Sequence, residues 1–348
     1  MTAWQWVEQL VGISSVSRHE SAIADFVQQQ LSRADHLEVT RIGDNVIAKT
    51  TTGSARRLAV VGHLDTVPGA QAMVVTDDQV TGLGATDMKG SLAVMLDAAL
   101  DNSPRGCDVT YVFYAREEIG RSESGLLEIE EANSSLLRAD AAIVAEPTSV
   151  RAELGCQGNL RVTVTLLGVR AHAARPFEGV NAAHRGAELM SRVAAYEPRR
   201  VDIDGVTFTE QLQVVRVNSG VANNVIPDAC EIVINHRFAP DRQGDEAVAW
   251  LSRYLAEVMT DADGWVVDDC APAAAPNRDN AFISHIVDLT GVAPAAKVGW
   301  TDVATFTQWG IPAVNVGAGD PLLAHQASEY VTREDVERFA EILRQVLA

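Results

Sequence analysis

His63 and Asp65 stand one residue apart in Gly62-His63-Leu64-Asp65. Asp87-Met88-Lys89-Gly90, the pair Glu117-Glu118, Glu146-Pro147-Thr148 and Ala324-His325-Gln326 follow along the chain. Imidazoles and carboxylates of this kind are the donors of a divalent-cation site. Acids brought close together repel, and only protons or cations make such a cluster tolerable. Two divalent ions would overbalance three ligand carboxylates and leave positive charge to stabilise a hydroxide. A mixed imidazole and carboxylate shell suits Zn²⁺, with Co²⁺ or Mn²⁺ as substitutes. Singly, each group has a plainer reading: a satisfied histidine, two solvated acids, an aspartate closing a glycine turn.

What gives the set meaning is the elements that must carry it. Leu58 to Val61, Val109 to Ala115 and Ala141 to Ala145 are apolar runs of buried-strand length, and helical patterns such as Ser91 to Leu100 lie between them. Strands alternating with helices predict a largely parallel α/β sheet. His63, Glu117-Glu118 and Glu146 each follow one of these runs. Parallel strands present their carboxyl ends to a common crevice, so these groups are expected to converge there. Asp87 sits in a glycine-flanked turn just before a helix. Leu37 to Thr40 and Asn45 to Thr50 flank Gly43-Asp44 as a hairpin. Ser17-Arg18-His19-Glu20 reads as a capping box opening a helix over Ala22 to Leu31.

From about Asn159 the pattern changes. A strand over Leu160 to Leu167 precedes a helix over Asn181 to Tyr196. Strands over Leu212 to Val217 and Cys230 to Phe238 follow, then a helix over Glu246 to Met259. This order predicts a compact α+β unit inserted into the first. The tail returns to the earlier style, with a strand over Ala313 to Val316 and a helix over Asp335 to Leu347 opened by Thr332. The expected division is 1–156 and 265–348 for the main domain and 157–264 for the insertion.

Composition removes several classes of function. The 348 residues carry 28 Lys+Arg against 47 Asp+Glu, a formal charge of -19, which argues against a nucleic-acid surface. No apolar run approaches the roughly 18 to 20 residues of a membrane span, and the N-terminus lacks a signal-peptide build, so a cytoplasmic protein is expected. Cys107, Cys156, Cys230 and Cys270 form no Cys-x-x-Cys pair, which leaves neither a thiolate zinc site nor a redox dithiol. Gly82-Leu83-Gly84 begins a dinucleotide-binding pattern, but Asp87 occupies the third glycine position and the fingerprint fails.

Taken in order, Gly62 to Pro68, Gly84 to Gly90, Glu117-Glu118-Ile119-Gly120 and Glu146-Pro147-Thr148 resemble the successive signatures of the di-zinc M20 amidohydrolase and peptidase family. The resemblance spans nearly the whole chain. Trp300 to Ala304 and Gly310 to Asn315, with Gly319-Asp320 and His325, are most similar to the branch that acts on N-succinylated diamino acids. The resemblance implies a zinc-peptidase-like catalytic domain with a mixed, largely parallel sheet flanked by helices. It also implies an inserted α+β (ferredoxin-like) lid and dimerisation domain, hence a homodimer, and a small acylated amino acid as substrate.

Position by position, the resemblance implies that Asp87 bridges two divalent ions. His63 and Glu146 would complete one site, Glu118 and His325 the other. Glu117 would be the general base, passing a proton from water to the leaving amine. Asp65 would accept the other N–H of His63 and orient the ring, and the peptide after Asp87 would be cis. His172 matches a histidine that reaches across a dimer to hold the oxyanion. Arg237 and Asn224 match positions that hold the substrate's carboxylate and backbone, and Arg175 and Thr301 are further candidates for that task. Another acylamino-acid amidohydrolase on the same core, such as an acetylornithine deacetylase, and a non-catalytic binding protein on the same fold are the alternatives.

Overall fold

A computed structural model describes all residues from Met1 to Ala348. The chain divides into two compact units, one formed by Met1–Gly155, Pro276–Ala295 and Thr301–Ala348, the other by Cys156–Ala275 and Ala296–Trp300.

The first unit is built on a mixed sheet. Seven of its eight strands lie in the order Leu37–Ile42, Asn45–Thr50, Asp108–Tyr114, Arg57–His63, Ala141–Val144, Ala313–Asn315 and Glu153–Leu154. The expected hairpin pairs Leu37–Ile42 antiparallel to Asn45–Thr50. The four central strands, Asp108–Tyr114, Arg57–His63, Ala141–Val144 and Ala313–Asn315, are parallel. Every residue of Asp108–Tyr114 and Ala141–Val144 is buried, as expected of strands covered on both faces. Each Val or Ile fully removed from water there contributes about 1.5 to 3 kcal/mol.

The helix Gly90–Leu100 packs against Ala3–Val11, Ser21–Leu31 and Arg333–Leu347. It is apolar nearly all round, with Leu92, Ala93, Val94, Met95 and Leu96 buried, so it must sit between the sheet and other helices rather than on the surface. Arg333–Leu347 is amphipathic and opens on Thr332, whose side chain accepts the Asp335 N–H as expected. No helix is long and apolar enough to cross a membrane.

The start of the chain departs from the sequence reading. A helix over Ala3–Val11 precedes the expected one. The next helix, Ser21–Leu31, is capped at Glu20 with no side-chain cap. Ser17 makes no capping box; its hydroxyl donates to Asp65 Oδ2 at 2.7 Å, a buried tertiary acceptor that outcompetes the local amides.

The second unit is a four-stranded antiparallel sheet in the order Gln211–Ser219, Ala229–Phe238, Gly158–Leu167, Gly264–Ala271. The helices Ala182–Ala194 and Gly244–Leu255 pack on the sheet and share its core of Leu160, Val162, Val164, Ile232, Ile234, Leu189 and Leu251. Strand, helix, strand, strand, helix, strand in this order is a ferredoxin-like arrangement. The chain is therefore α/β with an α+β unit inserted in it.

Candidate metal centre

Strand register builds the site. Val61 of Arg57–His63 lies opposite Val144, and His63 lies opposite Tyr114. Glu146, two residues past Val144, is thus level with His63, and Glu117-Glu118 emerge just past Tyr114. The strands run parallel, so these side chains reach one edge of the sheet. The fourth approach comes from Asp87, in the Ala85–Lys89 turn before the helix Gly90–Leu100. Gly62 lets that turn lie close: a Cβ there would stand 2.7 Å from Met88 Cε and 2.8 Å from Leu92 Cδ2. The Asp87–Met88 peptide is cis, as the resemblance implies.

The carboxylate of Asp87 lies between two imidazoles. Its Oδ1 is 3.1 Å from His63 Nε2, and its Oδ2 is 3.5 Å from His325 Nε2. Glu146 Oε1 lies 4.0 Å from His63 Nε2, and Glu118 Oε1 lies 2.9 Å from His325 Nε2. Three donor groups fall within ion-binding reach: His63 with Asp87 and Glu146, Asp87 with Glu118 and His325, and His63 with Glu117 and Glu118.

Charge shapes the titration of these groups. Burial would raise the Asp87 carboxyl, but His325 and His63 hold it well below the usual range. Asp87 and Glu118 push His325 up to about 10. Burial and then the neighbouring charge of Glu146 drive Glu117 well above an ordinary glutamate. Such a carboxyl holds a proton more readily than an ordinary glutamate.

Asp65 meets the ring of His63 through both its main chain and its carboxylate. His63 Nδ1 is 2.9 Å from the main-chain carbonyl of Asp65 and 3.6 Å from its Oδ1. The carboxylate has further partners. Its Oδ1 accepts the Glu117 N–H at 2.9 Å, and its Oδ2 accepts the Glu118 N–H at 3.1 Å and the Ser17 hydroxyl. Asp65 therefore grips the main chain of the acidic pair, while its own carbonyl fixes the ring of His63.

Thr301 is buried, and its hydroxyl donates to Asn315 Oδ1 at 2.7 Å, with Asn315 in turn donating to the Glu153 and Gly155 carbonyls. The remaining candidates belong to the second unit. Ala171–His172 pairs with Val225–Ile226, which sets the exposed His172 beside the exposed Asn224, whose carbonyl accepts the Ala173 N–H. Arg175 is exposed too, and its N–H donates to the His172 carbonyl. Arg237 is half-buried on the strand Ala229–Phe238, its Nε donating to Asn235 Oδ1 at 3.2 Å.

Two further parts of the centre escaped sequence reasoning. Tyr114 donates its hydroxyl to Asp302 Oδ2 at 2.6 Å, both side chains buried and the tyrosine ring edge-on to His63. Glu329 accepts backbone N–H groups of the Asp87 turn. No local pattern marks either, since their partners lie far away in sequence.

A two-unit α/β chain with this donor cluster at the carboxyl edge of its parallel strands defines a class, and the chain belongs to peptidase family M20/M25/M40, whose model matches residues 59–348. It is 42% identical over 349 residues to the succinyl-diaminopimelate desuccinylase of Corynebacterium glutamicum, an alignment covering 98% of this chain and 95% of that protein. A tripeptidase from Staphylococcus aureus shares the fold with a TM-score of 0.82 at 20% identity, covering 99% of this chain and 96% of that one. The YXEP protein of Bacillus subtilis, described as a dinuclear metal binding peptidase of the M20 family, has a TM-score of 0.73 at 16% identity, covering 99% and 97%.

Proposed function

We propose that the chain is a cytoplasmic, homodimeric metal-dependent amide hydrolase that cleaves N-succinyl-LL-2,6-diaminopimelate to succinate and LL-2,6-diaminopimelate. The observation that carries the reaction class is the position of Asp87, with one carboxylate oxygen toward His63 and the other toward His325. The near full-length similarity to the Corynebacterium enzyme supports the choice of substrate.

The donor set fits a pair of divalent ions. His63, Asp87 and Glu146 would hold one and Asp87, Glu118 and His325 the other, a mixed nitrogen and oxygen shell that suits Zn²⁺ and would accept Co²⁺ or Mn²⁺. Ions bound there supply Lewis acidity toward the amide carbonyl and lower the pKa of water. The chain's own groups do the rest. Glu117, its carboxyl raised by burial and by Glu146, takes the proton of the attacking water and returns it to the departing amine nitrogen. Asp65 keeps Glu117 and Glu118 in place through their N–H groups. In a homodimer formed through the second unit, His172 of the partner subunit would donate to the oxyanion. Arg237 and Asn224 would hold a carboxylate and the backbone of the substrate, the first task suited to a guanidinium fork, with Arg175 as a further candidate. Thr301, buried and bonded to Asn315, would be a further group holding the substrate.

The test is hydrolysis of N-succinyl-LL-2,6-diaminopimelate and N-acetylornithine side by side, with Zn²⁺ added and with a chelator. A kcat/KM in favour of the succinyl compound, abolished by the chelator, is the expected result. Preference for the acetyl compound would overturn the substrate, and metal binding with no hydrolysis of either would favour a binding protein.

A further inference from the structure

Glu329 lies four residues beyond His325 and is 1% exposed. Its Oε1 accepts the backbone N–H groups of Thr86 and Asp87, each at 2.9 Å, and its Oε2 accepts that of Gly84 at 3.0 Å. Three amides of one tight turn are thus aimed at a single carboxylate. Each would otherwise be a buried donor without an acceptor, and bonds to an ionised acceptor are roughly twice as strong as neutral ones. Gly84 makes the convergence possible: its φ is +76°, and a Cβ there would stand 2.5 Å from Thr66 Cγ2.

The same segment is pinned from its own main chain. The Glu329 carbonyl accepts the Gly82 N–H at 3.1 Å and the Gln71 side-chain amide at 3.0 Å, and the Tyr330 carbonyl accepts the Thr86 hydroxyl. On the other side, the Glu329 N–H donates to the Gln326 carbonyl at 3.2 Å, within one turn of His325. Glu329 therefore ties the turn bearing Asp87 to the segment bearing His325, although the two are more than two hundred residues apart in sequence.

We infer that Glu329 is a positioning residue whose buried carboxylate, by accepting the Gly84, Thr86 and Asp87 N–H groups, sets the direction of both Asp87 oxygens and so the affinity of the centre for its ions. The inference rests on the reading of Asp87 as a metal ligand. Glu329 touches no substrate in this scheme. Its loss is felt in metal binding and in kcat at limiting metal, with KM unchanged once the site is filled. Glutamine cannot replace it, because its single acceptor oxygen leaves an NH₂ opposed to at least one of the three N–H groups.

The experiment compares the wild type with Glu329→Gln, Glu329→Asp and Asp87→Asn. Each protein is stripped of metal, titrated with Zn²⁺ against a chromophoric chelator, loaded with Co²⁺ for its visible spectrum, and melted without metal. Glu329→Gln is expected to weaken Zn²⁺ binding about 10- to 100-fold, the usual effect of removing a group that orients a ligand. Its Co²⁺ spectrum should change, its KM at saturating metal should match the wild type, and Glu329→Asp should fall between. A lower melting temperature with wild-type affinity and spectrum would reduce Glu329 to a structural role and overturn the inference. Should Glu329→Gln fail to fold, Glu329→Asp decides by the same comparison. If Asp87→Asn binds Zn²⁺ as tightly as the wild type, the metal reading itself fails. If Asp87→Asn weakens binding and neither Glu329 variant does, the inference alone falls.

Discussion

Replacing Asp65 by asparagine tests whether the acidic pair is held by its main chain. The change is isosteric and opens no cavity, so its effect comes from hydrogen bonding and from the charge lost beside His63. In the native protein Oδ1 accepts the Glu117 N–H, while Oδ2 accepts the Glu118 N–H and the Ser17 hydroxyl. Asparagine keeps one acceptor oxygen. If its NH₂ replaces Oδ1, the Glu117 N–H loses its partner; if it replaces Oδ2, Ser17 can turn to accept but the Glu118 N–H cannot. Either way one buried backbone donor loses a bond to a charged acceptor, which costs about 1.5 to 3 kcal/mol. Asp65 is 1% exposed, so water is poorly placed to make good the loss. A shift of the pair at the edge of the strand Asp108–Tyr114 moves both Glu117 and Glu118, and kcat should fall on the order of 10- to 100-fold. Urea denaturation of the metal-free protein measures the first quantity, and initial rates at saturating metal measure the second. A stability within about 0.5 kcal/mol of the wild type, together with an unchanged kcat, would show that the two N–H bonds do not position the pair.

Glu117→Gln should retain bound metal, measured by elemental analysis, and lose about 10²- to 10⁴-fold in kcat; retained turnover would remove Glu117 as the proton carrier. Chelation should lower the melting temperature and Zn²⁺ restore it, since an ion at a hundred times its Kd adds about 2.7 kcal/mol to the folded state. Superimposable melts would mean that the cluster binds no ion. In the second unit, burial works against the charge of Glu210, but His236, Arg199, the Ala239 N–H and Arg242 hold its carboxyl well below its ordinary value of 4.5. A depressed folded pKa gives stability that is full above the unfolded pKa and is lost as pH falls below it. Glu210→Gln should therefore cost about 2 kcal/mol at neutral pH, less than a fully buried broken pair because Arg199 reaches solvent. The gap to the wild type in denaturation midpoints should narrow in acid below the ordinary glutamate pKa; a gap that stays constant with pH would refute the assignment.

The parts that could be read from the sequence are those where local pattern and tertiary environment agree. Leu58 to Val61 and Ala141 to Val144 are apolar without alternation because both faces of their strands are covered, and the pattern says so directly. His63 and Glu146 are legible for the same reason, since they are the first polar side chains after such runs, and Glu117 follows its run after Arg116 alone. The helix Ala3–Val11 did carry a signal, a Thr2–Gln5 capping box and an exposed side of Gln5, Glu8 and Gln9, but it is only nine residues long. The strand Gly264–Ala271 is broken by Asp268 and Asp269, with a register shift between Val267 and Asp269 where it pairs with Gly158–Leu167, and so its period is lost. Ser17 carried a genuine capping signature, but Asp65 offered its hydroxyl a charged acceptor. Glu329 gave no signal at all: its amide partners lie 242 to 245 residues earlier in the chain.

These cases show why the centre's acids cannot be sorted by type. Asp65, Asp87, Glu117, Glu118, Glu146 and Glu329 are all carboxylates gathered about one centre, yet four of them fall into two distinct pairs. Asp65 and Glu329 have both oxygens occupied by N–H or O–H donors at 2.7 to 3.1 Å. Using either as a cation ligand would mean giving up those bonds and orphaning buried amides, so their role is to hold backbone. Asp87 and Glu118 instead face imidazole nitrogens, groups that share an ion with carboxylates readily. The distinction lies in what each oxygen already accepts. That is fixed by turns folding onto strands distant in sequence, and it makes the backbone-gripping acids as necessary to the geometry as the ones that would bind metal.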